Sequence, residues 1–376
     1  MTARVAIFHP WAASPTRRRL LDRFAASVDW NVHVYAARDW RDEFGVQTPR
    51  SSGSPVRLTE IPVFPNGSIP LHVWSPRALI EMRRFRPDVA YVYHEPFGIA
   101  TAELFAFARG SGVPVLGFHT AQNLRKRYPA AIRIAERFVC KNASFATAVS
   151  AEATEALRWR GFRGPVSRFD FSLDLEKFEF SERSFRPPVR LGFLGRLVEA
   201  KGVDVALDAV RNLSDRGIFA SFQIAGIGPH EGELRSKVSQ MGLGDRVSFA
   251  GRLSPNDVPT FYKSIDLLIV PSITTAGWKE QFGRVVIEAA ASGVPVVAST
   301  SGELPGLVDR LKCGWTSAEG DPVALSSLLA DLISRPARLS EVARAGRAMA
   351  VAAHSESAVA GQLVDAIGAA LEAKRS

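Results

Sequence analysis

Two glutamates, Glu280 and Glu288, stand eight positions apart in the stretch EQFGRVVIE, around a Phe-Gly step. If Gly283 opens a helix, Glu288 falls in its second turn and Glu280 in the loop ahead of it. A helix N-terminus carries unpaired N–H groups and partial positive charge, so it favours an anion in the space before it. Eight residues span at most ~12 Å as helix, a reach comparable with that from a ribose across a diphosphate to a sugar. Carboxylates suit the two ends, because they accept paired hydrogen bonds from vicinal diols. A capped core helix with one buried acid satisfies the same spacing, so these residues need company.

The stretch FLGRLVEAKGVDVALDAV, residues 193–210, supplies it. A strand ends at Gly195, and Arg196 and Lys201 lie in the turn before the next helix. Cations at a strand end, beside a helix N-terminus, suit a diphosphate. Arg grips its oxygens bidentately and Lys adds a mobile point charge. The plain alternative is an ordinary charged loop.

Positioning such groups takes a large scaffold. At 376 residues the chain exceeds what one hydrophobic core usually serves, so two domains are expected. Apolar content of 46% and charged content of 23% fit an ordinary globular protein. Cys140 and Cys313 form no C-x-x-C, which argues against a disulfide framework or a cysteine metal site and fits a reducing compartment. The apolar run near the N-terminus is too short for a signal peptide, and no run approaches a membrane span, so a cytoplasmic location is expected.

Short apolar runs alternate with helix-length segments. Residues 4–8, 31–36, 89–94, 113–119 and 144–150 read as buried strands in the first half. Residues 189–195, 220–226, 246–251, 266–272 and 294–300 repeat the pattern in the second. Helical patterns lie between several of them, such as 75–85 and 131–141. The alternation implies parallel sheets covered on both faces, an α/β fold. Two facing doubly wound, Rossmann-like domains with a central cleft follow, since ligands bind at the C-terminal ends of such strands. The expected division is a first domain over 1–168, a linker over 169–188, a second domain over 189–355, and a last helix over 356–376 packing back on the first.

Charge is unevenly placed. Residues 1–188 hold 27 Lys and Arg against 18 Asp and Glu, and residues 189–376 hold 20 of each, so the whole excess of +9 sits in the first half. An anionic partner is implied. Arg133, Arg137 and Lys141 fall four residues apart, on one helix face. The reading preferred here is an anionic membrane surface; a solvated face is the plainer one, and no recognition motif supports nucleic acid.

The order of GRLVEAKG, IAGIGPHEGEL, SIDLLIVPS, the E-x7-E stretch and SGVPVVAS resembles that of family-4 glycosyltransferases over residues 189 to about 330. YHEPFGIA, GFHTAQN and AVSAEATEAL are similar to that family in the first half. HEP and FHT resemble members that glycosylate lipids such as phosphatidylinositol. The resemblance implies the GT-B fold, a nucleotide-sugar donor (UDP-, GDP- or ADP-linked) and transfer with retention to a glycan or lipid-linked acceptor. It implies that Arg196 and Lys201 bind the diphosphate, Glu280 the donor sugar, the backbone of Phe282, Gly283, Arg284 and Val285 the diphosphate, and Glu288 the ribose. Arg252 and Leu253 would lie beside the base. His119 would face the donor sugar from the first domain, with His94 and Glu95 on the acceptor side.

The chain departs from the family at FHPWAASPTRRR (8–19), which lacks the glycines usual after the first strand. It departs again at FSLD (171–174) and at Pro305-Gly306. No Asp-x-Asp is present, so no metal or other cofactor is expected. A sugar-nucleotide epimerase of the same fold, or a non-catalytic sugar-nucleotide binder, are the rival readings.

Overall fold

The computed structural model describes residues 2–12, 15–42, 45–47, 56–180, 182, 185–186 and 188–375. Ala13 and Ser14 of the glycine-free stretch, and Ser181, Arg183, Ser184 and Pro187 of the stretch read as a linker, lie outside them. The chain divides into two compact units, residues 1–172 with 356–376, and residues 173–355.

The first unit runs β1 (Arg4–Phe8), α1 (Pro15–Ala26), β2 (Asn31–Ala37), the small hairpin β3 (Trp40–Asp42) and β4 (Gly45–Gln47), and β5 (Arg57–Ile61). A second hairpin, β6 (Val63–Phe64) and β7 (Val73–Trp74), leads to α2 (Pro76–Phe85), β8 (Val89–Val92) and α3 (Ile99–Gly110). Then come β9 (Val115–Thr120), α4 (Ala130–Asn142), β10 (Phe145–Ala148), α5 (Ala151–Trp159) and β11 (Val166–Arg168). The second unit runs β12 (Val189–Leu194), a 3-10 turn (Glu199–Lys201), α6 (Val203–Asp215), β13 (Ala220–Ala225), α7 (Glu231–Gln240), β14 (Val247–Gly251), α8 (Val258–Ser264) and β15 (Leu267–Val270). It continues through α9 (Arg284–Ala291), β16 (Val296–Ser299), α10 (Leu304–Leu311), β17 (Gly314–Ser317), α11 (Pro322–Ile333) and α12 (Pro336–His354). The last helix, α13 (Glu356–Arg375), belongs to the first unit.

Each unit carries one parallel sheet. Its order is β5-β2-β1-β8-β9-β10-β11 in the first and β14-β13-β12-β15-β16-β17 in the second. In both, the chain starts in mid-sheet, winds outward one way, then returns to wind the other. That is the doubly wound order, and its reversal leaves a crevice at the strand C-termini: beside β1 and β8 in one unit, beside β12 and β15 in the other.

The central strands form because apolar positions dominate them and both sheet faces are covered. β15 and β16 are buried throughout. α6 packs with Val203, Ala206, Leu207, Val210 and Leu213 inward, the three-and-four spacing of an amphipathic helix. Capping fixes other starts: the Asp321 carboxylate accepts from Val323 and Ala324 N–H ahead of α11, with Pro322 at its first position. In the first unit, Val359, Leu363, Ala366 and Ile367 of α13 share a core with Val5, Ile7, Phe24 and Val34.

The stretch 169–188 is divided between the units. Phe169 lies in the first unit's core, while Leu173, Phe178 and Phe185 are buried in the second. Three sheet strands escape the apolar-run pattern: β5 (RLTEI), β11 (VSR) and β17 (GWTS), each at a sheet edge. No described helix is long and apolar enough to cross a membrane.

Candidate functional site

In the second unit the chain leaves β12 at Leu194 and turns through Gly195 and Arg196 to the 3-10 turn that ends on Lys201. Gly202 follows at φ +64, and a side chain there would collide with the Pro271 carbonyl just past β15. Only glycine lets this turn rest on the end of the neighbouring strand. From that strand, residues 271–280 come back over the same crevice. The Lys201 ammonium donates to the Glu280 carboxylate at 2.7 Å, and the buried Ser272 hydroxyl donates to the same oxygen at 3.0 Å. Gly302, at φ +54, admits the Glu280 carbonyl, which also accepts from Glu303 N–H at 3.2 Å.

These elements enclose a cavity of about 330 Å³ lined by Arg196, Val198, Ala200, Lys201, Trp278, Glu280 and Gln281. Two cations and a carboxylate therefore share one concave space at the topological switch point. Such a site can take a doubly negative group and a hydroxyl-bearing one side by side.

Gly283, at φ +76, caps α9, and Glu288 sits in its second turn. Both oxygens of Glu288 are engaged: Arg284 Nε donates to one at 2.8 Å and the Tyr262 hydroxyl to the other at 3.1 Å. Burial is the main influence that raises the Glu288 pKa, and the Arg284 charge opposes it. Phe282 is buried with its ring near His354, and the Val285 carbonyl accepts from Tyr262. Arg252 and Leu253 follow the edge strand β14, Arg252 exposed and Leu253 half-buried.

In the first unit, the corresponding crevice is built of rings. His9 follows β1, Tyr93 and His94 follow β8, and His119 lies in β9. Tyr93 is sandwiched between His9 at 4.0 Å and His119 at 4.2 Å. His119 Nδ1 pairs with the Thr147 hydroxyl at 2.9 Å, and His94 Nδ1 with Thr101 at 3.2 Å. Burial pushes both histidines down to about 3 and holds His9 well below the usual imidazole range, so all three are neutral at physiological pH. The Glu95 carboxylate accepts from Thr120 Oγ1 and from Ala121 N–H, each at 2.7 Å. Burial raises it to about 7 against those two donors. Glu95 thus holds the turn that follows His119.

Sequence comparisons cover both units. Residues 174–349 match the family model Glycosyl transferases group 1, and residues 12–168 match the Glycosyl transferase 4-like domain. The putative colanic acid biosynthesis glycosyltransferase WcaL of Salmonella typhimurium is 34% identical over 42% of this chain and 40% of its own length. The 2-deoxystreptamine glucosyltransferase of Streptomyces kanamyceticus is 28% identical over 66% of this chain and 58% of its own. The chain therefore spans between two and three fifths of these curated relatives. Among solved structures, Anabaena HepE in complex with UDP superposes with a TM-score of 0.73 at 17% identity, over 98% of this chain and all of that one. Sucrose-phosphate synthase of Thermosynechococcus elongatus gives 0.71 at 18% identity, over 98% of this chain and 100% of that one. The fold is GT-B.

Within this GT-B chain, the second unit brings Arg196, Lys201 and Glu280 into one cavity. Phe282, Gly283, Arg284, Val285 and Glu288 lie on the adjoining helix start, outside the cavity lining, and so do Arg252 and Leu253. His119 belongs to the other unit. Sequence reasoning missed Ser272 and Trp278. Ser272 ends the apolar run DLLIVPS, where a polar residue at a strand C-terminus was a usable signal. Trp278 had only its place two residues before Glu280. Among the described residues, no three His, Cys, Asp or Glu side chains group as a metal site would.

Proposed function

We propose that this chain is a retaining glycosyltransferase, moving a sugar from a nucleoside diphosphate to a hydroxyl. The observation that carries the reading is the cavity shared by Arg196, Lys201 and Glu280 at the second unit's switch point. Arg196, Lys201 and the N–H groups at the start of α9 offset the charge that grows on the departing diphosphate. Glu280 accepts from hydroxyls of the donor sugar. Glu288 reaches the ribose by exchanging its contact with Arg284, and Arg252 and Leu253 flank the base. His119, neutral and oriented by Thr147, is the first unit's candidate for contact with substrate.

The bond from the anomeric carbon to the phosphate oxygen breaks as the acceptor oxygen bonds on the same face. The acceptor proton passes to the leaving phosphate. Related proteins support the donor class: HepE has been solved with UDP and glucose, and a Mycobacterium tuberculosis relative is a GDP-mannose-dependent phosphatidylinositol monomannoside mannosyltransferase. The acceptor is a glycan or an anionic lipid-linked hydroxyl, met at the inner face of a membrane by the basic first unit. The charge supplied by Arg196 and Lys201 makes the reaction independent of divalent metal.

Incubation with a panel of labelled UDP-, GDP- and ADP-sugars, with and without acceptor, tests the reading. Product that appears only with acceptor, and unchanged in chelator, is expected. Conversion of the donor without acceptor identifies an epimerase instead. Loss of turnover in chelator, restored by Mn²⁺ or Mg²⁺, removes the metal-independent site.

A further inference from the structure

Trp278 has no part in the roles assigned so far, yet it lines the cavity beside Lys201 and Glu280. Its placement is built. Thr275 N–H donates to the Trp278 carbonyl at 2.8 Å and Trp278 N–H returns to Thr275 at 3.4 Å, closing a tight turn. The residue before that turn is anchored too: Thr274 N–H and Oγ1 both donate to Glu319, at 3.1 and 2.9 Å, and Oγ1 meets Ser301 at 3.0 Å. From this turn the indole lies with its ring centroid 4.7 Å from the Lys201 ammonium, which also donates to Glu280 at 2.7 Å.

We infer that Trp278 is the apolar wall of the donor-sugar subsite and selects among sugar epimers, a deepening that rests on the function proposed above. Three observations favour the sugar over the base. The indole and the Glu280 carboxylate face one space from a single loop, giving a pyranose ring an apolar wall for its C–H face and an acceptor for its hydroxyls. The cavity, about 330 Å³, lies at the low end of ligand sites and suits a monosaccharide with its phosphate rather than a whole nucleotide sugar. Arg252 and Leu253, assigned to the base, line no part of it. A flat aromatic wall is selective because a pyranose can lie close to it only on a face free of axial hydroxyls. An epimer that turns a hydroxyl toward the indole loses contact and buries that group against carbon.

The test compares wild type, Trp278→Ala, Trp278→Phe and Trp278→Gln for binding of UDP and GDP alone, and for kcat/KM on donors differing at one sugar carbon. Trp278→Ala should cut the preference between epimers by about tenfold while changing nucleoside diphosphate affinity less than about twofold, and Trp278→Phe should restore most of the preference. Trp278→Gln, which keeps bulk without the aromatic face, should behave as Trp278→Ala and serves if the alanine variant does not fold. An unchanged epimer ratio in either overturns the inference and leaves the transferase reading standing. So does an equal loss of nucleoside diphosphate binding, which would make Trp278 a support for Lys201. If wild type binds no nucleoside diphosphate and no sugar conjugate, the donor site and its wall fall together.

Discussion

Lys201 has two claims on its charge, the Glu280 carboxylate at 2.7 Å and any anion that enters the cavity. A diphosphate that draws the ammonium away leaves Glu280 with Ser272 as a donor and frees lone pairs for sugar hydroxyls. Glu280→Ala should therefore cut turnover more than nucleotide binding, and Lys201→Ala should weaken both, each by about 3 kcal/mol of transition-state stabilisation. Steady-state kinetics alongside calorimetric titration with the nucleoside diphosphate separates the two effects; wild-type turnover in Glu280→Ala would remove that residue from the site. Protons make a second prediction. His9, His33, His72, His94 and His119 are all held below the usual imidazole value, chiefly by burial. Unfolded, they protonate near pH 6.5, so below that the unfolded chain binds more protons and stability is lost as pH falls toward the folded values. Glu95, Glu103 and Glu136, all raised by burial, act with the opposite sign, their contribution being lost as pH rises. The histidines outnumber them, and each uncompensated proton is worth about 1.4 kcal/mol per pH unit. Amide exchange should show the first unit opening more readily at pH 5 than at pH 7; equal protection at both would contradict the account. That Arg196, Lys201 and Glu280 come together was legible because charge beside a strand end or ahead of a helix start is a local pattern; Glu288 does not join them in the cavity lining. The ring stack of His9, Tyr93 and His119 was not, because it joins three strands that only the sheet order brings together.

α4 turns Glu136 and Val139 inward and leaves Arg133, Arg137 and Lys141 exposed, with Ile134 66% exposed among them. The turn ahead of it adds exposed Arg125, Lys126 and Arg127, and is held from inside: Arg160 donates to the Leu124 carbonyl at 2.9 Å, and Tyr128 packs against Phe97. Cations on so fixed an element add up against an anionic surface, at about 1 kcal/mol each. Co-sedimentation should show binding to phosphatidylserine vesicles that high salt releases and that Arg133→Glu with Arg137→Glu abolishes; equal binding to neutral vesicles, or none to either, leaves a soluble acceptor. The strands show where reading by element stops. β15 and β16 announce themselves because both faces are covered, which favours an apolar run. β5, β11 and β17 each have a neighbour on one side only, so Arg57, Arg168 and Thr316 are tolerated and no run forms.

At the scale of the molecule, the two units were legible as two strand–helix series, but the path between them was only half so. Leu173, Phe178 and Phe185 lie too irregularly for a periodic pattern, yet each is buried because a crossing chain must be pinned somewhere. α13 makes the sharper prediction. Leu363 and Ile367 are buried among β1, β2 and α1 residues, so alanine at either should cost about 2–5 kcal/mol of the first unit's stability and leave the second unit's melting unchanged. Differential amide exchange over residues 1–172 and 173–355 checks this, and a loss confined to the second unit would refute it. The same helix bears on synthesis. A ribosome releases residues 1–172 first, but their core lacks one wall until residues 356–371 are made, roughly 10–40 s later at 5–20 residues per second. The unit encoded in one piece, residues 173–355, can close in the interval. The half that is translated first is the half that finishes folding last.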